Sequence, residues 1–221
     1  MAYVDFVGKL HNKTKRDYVQ RVIENDKSEC AEVAKKYGQD YWDGDRKHGY
    51  GGYKYDGRWL SIAEDLAKHF NIKPGDKILD IGCGKGYLLH EFTQAVPGVE
   101  VSGLDISPYA IENAKEEVKP FLKEGHAKSL PYEDNSFDVV VSLGALHNLK
   151  LFELFNAVKE ISRVAKSDRN YIMLESWRNE KERANLLYWQ LTCESFYDVE
   201  TWEKIYEYCG YKGDWDFIFF E

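Results

Sequence analysis

Residues 77–89 read KILDIGCGKGYLL: an apolar run closing on an acid, three glycines at alternate positions, then apolar residues at helical spacing. Ile78, Leu79 and Ile81 supply the β-rich run expected of a strand covered on both faces. Gly82, Gly84 and Gly86 can take backbone angles closed to other residues, and they leave no side chain between the main chain and a ligand. The helix that follows, roughly residues 87–94, points its amides at whatever rests on the loop. Strand, tight loop and helix together form a seat for a nucleotide-like ligand.

Spacing separates the classes that share such loops. A dinucleotide loop, G-x-G-x-x-G, needs glycine at position 87 and finds Tyr87; a P-loop needs Ser or Thr after Gly-Lys, and Lys85 is followed by Gly86. The pattern present, G-x-G-x-G with Asp80 two residues ahead of Gly82, resembles the first motif of class I S-adenosylmethionine (SAM) methyltransferases. This resemblance covers about residues 58–176. It implies an α/β fold with a doubly wound, mostly parallel sheet of six or seven strands. SAM is then the cofactor, S-adenosylhomocysteine the product, and Asp80, Gly82, Cys83, Gly84 and Gly86 form the cofactor cradle.

Downstream, residues 99–104 read as a second strand ending in Asp105, about twenty residues beyond the loop. At that distance a neighbouring parallel strand brings a carboxylate alongside the ribose of a bound nucleoside. The alternative is that Asp105 caps the helix starting near Ser107-Pro108. Residues 108–121 read as the crossover helix and 122–125 as a short third strand. Where the family often has Gly-Asp-Ala, this chain has Gly125-His126-Ala127. Ile106, His126 and Ala127 are therefore expected at the adenine, with the departure from Asp putting the usual amino-group contact in doubt. Residues 137–143 form the fourth strand, and its carboxyl end at Leu143 places 142–148 nearest the sulfonium. Neither an Asn/Asp-Pro-Pro-Tyr/Phe motif nor a Pro-Cys nucleophile occurs there, which turns the reading away from nucleic-acid bases as acceptors. His147 is the candidate general base, since methyl transfer to a hydroxyl releases a proton and imidazole titrates near the working pH. A packing role for His147 competes with that reading; Asn148 is placed to orient the base or the acceptor.

A chain of 221 residues can bury one full core. Its net charge of −8 argues against a general nucleic-acid binder. Cys30, Cys83, Cys193 and Cys209 show no C-x-x-C pair or dense framework, so neither zinc nor disulfides are indicated, and no metal site is expected. No apolar stretch approaches the roughly 20 residues that span a bilayer. The expectations are a cytoplasmic protein with a small-molecule acceptor, no nucleic acid and no membrane partner; the oligomeric state stays open, a homodimer included.

The flanks carry the aromatics. Residues 15–37 read as one or two helices, with the basic run 13–16 a solvated helix start. Residues 40–59 hold five glycines and six aromatics in a segment without a clear period, a loop expected to fold over the cofactor mouth. Residues 1–57 are thus expected to form a helical cap and aromatic lid, and 58–221 the cofactor-binding domain. Tyr53 and Arg58 from the lid, with Tyr188, Trp189, Gln190 and Glu194 from the aromatic block near the end, join Asn148 as expected acceptor contacts, Arg58 because guanidinium grips a carboxylate or phosphate bidentately. The implied reaction is SAM-dependent methylation of a hydroxyl, ahead of an amine, on a small polar acceptor such as a sugar or phosphorylated metabolite of surface-polysaccharide synthesis. A SAM-binding regulatory protein is the alternative.

Overall fold

A computed structural model describes residues 2–12 and 16–221. Six strands, β1 (Lys77–Ile81), β2 (Glu100–Asp105), β3 (Leu122–Glu124), β4 (Val139–Leu143), β5 (Asn170–Ser176) and β6 (Asp214–Phe219), form one sheet in the order β3-β2-β1-β4-β5-β6. Every strand pairing is parallel. The sequence left six or seven strands open; six form among the described residues, and the last runs parallel to β5 with no terminal hairpin. The N-terminal arm backs β6: Val4 N donates to Trp215 O, and Trp215 N donates to Ala2 O.

Alternation along each strand explains why both faces are covered. Leu79, Val140, Ile172 and Leu174 join a core under the helices Leu151–Val164 and Val199–Cys209. Their neighbours Ile78, Val139, Val141, Tyr171 and Met173 join a second core under the helices Leu60–His69 and Tyr87–Ala95. Helix Leu151–Val164 buries Leu154, Ala157, Val158 and Ile161, the spacing of one helical stripe. With β1 flanked by β2 and β4, the order reverses at its carboxyl end, where an open α/β sheet leaves a crevice.

The crossover helix is shorter than its sequence suggested. It runs Pro108–Glu112; the chain then turns, Lys115 N donating to Lys85 O on the glycine loop, and a 3-10 turn at Lys119–Phe121 leads into β3. Pro120 has no amide to continue an α-helix there. Residues 15–37 resolve into the helices Tyr18–Glu24 and Lys27–Ala34, with residues 13–15 outside the described residues. The segment 40–59 is largely irregular, as expected, apart from most of the one-turn helix Gln39–Trp42 and the 3-10 turn Arg46–His48.

Candidate active site

Backbone builds the first part of the site. Leaving β1, Gly82 turns with φ +81°, and the amides of Gly82 and Cys83 both donate to Leu104 O, tying the loop to β2. Asp105 closes the knot: its Oδ2 accepts from Gly84 N at 2.7 Å and its Oδ1 from Ser107 N at 2.8 Å. Each carboxylate oxygen keeps a further lone pair for a ligand hydroxyl. Ser107, not Asp105, caps the helix Pro108–Glu112, its Oγ accepting from Ala110 N at 3.0 Å.

A cavity of about 160 Å³ opens beside this knot. Gly82, Asp105, Ile106, His126, Ala127 and Leu143 line it from the sheet side, all of them expected there from sequence. Gly86 does not line it. With φ +71° at the start of helix Tyr87–Ala95, Gly86 faces Val118 and Leu122, so its small size serves packing and not the ligand. His126 lines the corner expected to take the adenine, but its Nδ1 sits 3.2 Å from Lys128 N and its Nε2 4.0 Å from Glu153 Oε1. Burial and then Lys128 lower its pKa. Glu153, from the first turn of the helix Leu151–Val164, lines the same corner; nothing in its local sequence marks it out.

Asp80 and Cys83 lie one step over, on a second cavity of about 290 Å³ that shares Gly82, Leu143, Gly144 and Asn148 with the first. Burial, with the charge of Asp105, pushes Asp80 up to about 8. A cation arriving beside Asp80 would draw it back toward its ionised form. The Cys83 thiol is pushed well up by burial and by the two acids, which makes it a poor nucleophile.

The aromatic segment covers both cavities. Trp42 lies over the glycine loop so closely that a Cβ on Gly84 would meet its ring at 2.7 Å. The Trp42 indole N–H donates to Ser107 Oγ at 2.9 Å, and its ring stacks on Tyr50 with centroids 5.1 Å apart and planes 10° from parallel. Lys85, the residue that a P-loop would have turned to phosphate, clamps this lid instead: its Nζ donates to both oxygens of Asp43, at 2.8 and 2.7 Å, and to Tyr53 O at 3.0 Å. Tyr109 donates to the same Asp43 carboxylate.

Side chains build the deeper cavity. His147, on the 3-10 turn Leu146–Asn148 after β4, is only 2% exposed and lines this cavity with Asn148 and with Glu175 of β5. Its backbone is fixed from outside, the amides of Glu194 and Ser195 both donating to His147 O. His147 Nε2 stands 3.7 Å from Glu175 Oε2, near enough to feel its charge but too far for a hydrogen bond. Burial drives the two groups apart in acidity, lowering His147 to about 4 and raising Glu175 to about 8. His147 Nδ1, Asn148 Oδ1 and Glu175 Oε2 are buried without a hydrogen-bond partner among the described residues, an arrangement suited to a polar ligand.

Four expected acceptor contacts need separate treatment. Tyr53 lines the cavity, its hydroxyl accepting from the Trp59 indole at 3.1 Å. Arg58 reaches the same wall, but its guanidinium pairs with Asp56 at 2.5 Å and is half exposed. Tyr188 does not line this cavity: it sits on a separate small pocket with Lys27 and Lys47, while Trp189 and Gln190, the next two residues, line it as expected. One step along a helix turns a side chain by about 100°. Glu194 is also outside; it pairs with Lys35 at 2.5 Å, and only its backbone serves the site. Sequence missed Arg16, Arg21 and Arg46, which carry no motif, whereas Glu175, the acid closing the fifth strand, stands on the pocket side that its strand-end position predicts.

Among the described residues no group of three or more His, Cys, Asp or Glu is placed to hold a metal ion, and no helix is long and apolar enough to cross a membrane.

With this geometry in hand, similarity to known proteins can be judged. Residues 79–173 match the family described as "Methyltransferase domain". The chain is 31% identical over 170 residues to demethylmenaquinone methyltransferase of Staphylococcus aureus; the match covers 75% of this chain and 63% of that protein, less than two thirds of its length. Among solved structures, a methyltransferase of Haloferax volcanii in complex with the Trm112 methyltransferase activator aligns with a TM-score of 0.58 at 19% identity, over 89% of this chain and 77% of that one. A phosphoethanolamine N-methyltransferase of Haemonchus contortus, solved with phosphomonomethylethanolamine and S-adenosylhomocysteine, aligns with a TM-score of 0.54 at 19% identity, over 89% and 45%. These two likenesses concern the fold. The six parallel strands, the glycine loop tied to Asp105 and the matched residues agree: residues 79–173 are a methyltransferase domain, and the sheet around them has the class I S-adenosylmethionine-dependent methyltransferase fold.

Proposed function

We propose that this chain moves the methyl group of SAM onto a hydroxyl of a small polar acceptor seated in the deeper cavity, with His147 as the proton acceptor and Glu175 behind it. The observation that carries this reading is the buried His147–Glu175 pair at the wall of a cavity continuous with the cofactor's. The nucleoside lies between Gly82 and Asp105, Ile106 and Ala127 meet the adenine, and Asp80 faces the methionine end. The acceptor oxygen attacks the sulfonium methyl in line, the sulfur departs with its electron pair, and the hydroxyl proton passes to the imidazole. An ionised Glu175 would hold the ring tautomer that leaves the other nitrogen free to accept. Positioning supplies most of the remaining rate, because the sulfonium is already an activated donor. In this reading the described part of residues 1–57 is the cap and lid, and residues 58–221 carry the cofactor.

A sugar or phosphorylated metabolite, such as surface-polysaccharide synthesis would use, suits walls that hold His, Asn, Glu and Arg. A second reading follows the name of the Staphylococcus aureus relative and takes a quinone ring carbon as acceptor; the 31% identity favours it. It predicts turnover with an apolar quinol, the ring carbon shedding its own proton as the methyl group arrives, and no label in polar hydroxyl compounds.

Radiolabelled-methyl transfer from SAM across panels of polar hydroxyl compounds and quinols separates the readings. Label in a polar acceptor, with kcat lowered by His147→Asn and the affinity for S-adenosylhomocysteine kept, supports the first; label only in quinols overturns it.

A further inference from the structure

Trp189, the last residue of the helix Glu180–Trp189, is surrounded by three guanidinium groups. The central carbons of Arg16, Arg21 and Arg46 lie 5.3, 4.6 and 4.9 Å from its ring centroid. All four side chains line the deeper cavity. Three cations on one ring repel one another, and the face of an indole offsets only part of that. Arg21 and Arg46 make no ion pair with a carboxylate among the described residues. Arg21 donates to Arg46 O and Lys47 O at 3.2 and 3.3 Å, and Arg46 donates to Gly49 O. Backbone carbonyls fix the direction of these groups without cancelling their charge. Burial first, then each neighbouring guanidinium, lowers the pKa of both.

Position separates this cluster from the cofactor's cradle. Arg16 also lies 5.5 Å over the ring of Phe220, and Trp189 packs 6.3 Å from the same ring, just past the end of β6. The nucleoside seat is on β1 and β2, and β6 is three strands from β1. At about 4.8 Å per strand the arginines stand roughly 14 Å across the sheet from the glycine loop. His147 and Glu175, on the turn after β4 and on β5, come between.

We propose that Arg16, Arg21 and Arg46, held on Trp189, form an oxyanion subsite that takes a phosphate or carboxylate of the acceptor while its methylated atom lies at His147. The subsite rests on the methyl-transfer reading for what lies at the cavity's other end; the anion chemistry stands on the arginines alone. Planar guanidinium groups bind such anions through paired, charge-assisted hydrogen bonds, and the tryptophan face keeps them from folding away in the empty protein. The subsite also gives the chain a reason to place a strongly basic pocket inside a molecule of net charge −8. A neutral acceptor would leave Arg21 and Arg46 facing one another with no carboxylate paired to either among the described residues.

Two sources of anion are open, the acceptor and the carboxylate of the cofactor's methionine, and titration calorimetry on the full chain distinguishes them. Inorganic phosphate is titrated into wild type, Arg21→Gln and Trp189→Leu, each free and saturated with S-adenosylhomocysteine; the folded state is checked by circular dichroism. The proposal expects phosphate to bind wild type in the presence of S-adenosylhomocysteine. Each variant should weaken phosphate binding by about ten-fold, as loss of a charge-assisted contact would, while S-adenosylhomocysteine affinity stays within about two-fold. Trp189→Leu keeps every backbone contact of the arginines, so the proposal remains testable if Arg21→Gln loosens the lid. Phosphate binding lost on saturation with S-adenosylhomocysteine, together with a ten-fold loss of its own affinity in the variants, assigns the arginines to the cofactor and overturns the proposal. Equal phosphate binding by all three proteins, or none by wild type, overturns it as well. If wild type binds phosphate but not S-adenosylhomocysteine, the methyl-transfer reading fails while the anion site stands.

Discussion

The two connected cavities are built from different material. Around the cavity beside Asp105 the main chain does the shaping: Gly82 turns through a left-handed angle, and two amides hold Asp105. Around the deeper cavity the work falls to side chains from remote segments, Arg16 and Arg46 before the first strand, Glu175 on β5 and Trp189 beyond it. A backbone-built seat suits a ligand common to a whole family, because it reads only shape and hydrogen-bonding edges. A side-chain-built pocket can change its ligand by single substitutions without touching the fold.

Gly82→Ala should have the largest effect. A methyl group there would fall inside that of Ala145, at a φ of +81° that a β-carbon resists, so S-adenosylhomocysteine binding should vanish in calorimetry. Unaltered affinity would break the claim that backbone shapes this seat. His147→Ala comes next, lowering kcat by about 10²–10⁴ while cofactor affinity stays within about two-fold, since His147 belongs to the other cavity. Equal losses in both would merge the two cavities into one functional unit.

The pH profile sharpens the contrast further. His147, held near 4, is neutral throughout the physiological range, whereas Glu175, raised to about 8, must lose its proton to orient the imidazole. Activity as kcat/KM should therefore rise about ten-fold per pH unit below 8 and level off above it. Glu175→Gln should flatten that limb and leave S-adenosylhomocysteine binding intact.

Stability follows the opposite sign at Asp80. Its folded-state pKa of about 8 lies above the unfolded value near 4, so the ligand-free protein holds the proton more tightly than the unfolded chain does. The stability contributed by that proton is complete below about pH 4 and is lost as pH rises toward 8. Asp80→Asn should raise the Tm of the ligand-free protein at pH 8 by several degrees and weaken SAM binding. The smallest effect belongs to Tyr188→Ala, which should shift neither kcat nor S-adenosylhomocysteine affinity by more than about two-fold, as expected of a surface substitution outside both cavities.

Legibility in the sequence tracked this division. The strands around the glycine loop, the placement of Asp105 beside it and the irregular course of residues 40–59 could all be read, because each depends on local chemistry: alternation, glycine spacing, aromatic density without a period. The crossover helix was overextended because apolar spacing continues through Ala114 and Val118, both buried, although the chain there is turned by its bond to Lys85. Tyr188 and Trp189 were both expected at the acceptor, because two adjacent aromatics at the end of a helix cannot be told apart without knowing which face the helix buries. Gly86 looked like a ligand glycine because spacing alone does not separate a glycine that meets a ligand from one that meets a core side chain.

By itself the chain's sequence determined a parallel α/β sheet, a glycine loop for the adenosyl group and an acid on the next strand, since periodicity and backbone permissiveness act over a few residues. Only the tertiary structure decided which cations and acids share the acceptor's cavity. Arg16, Arg46, His147, Glu175 and Trp189 meet because strand order and lid docking fold distant segments onto one end of the sheet, and no local rule encodes that meeting.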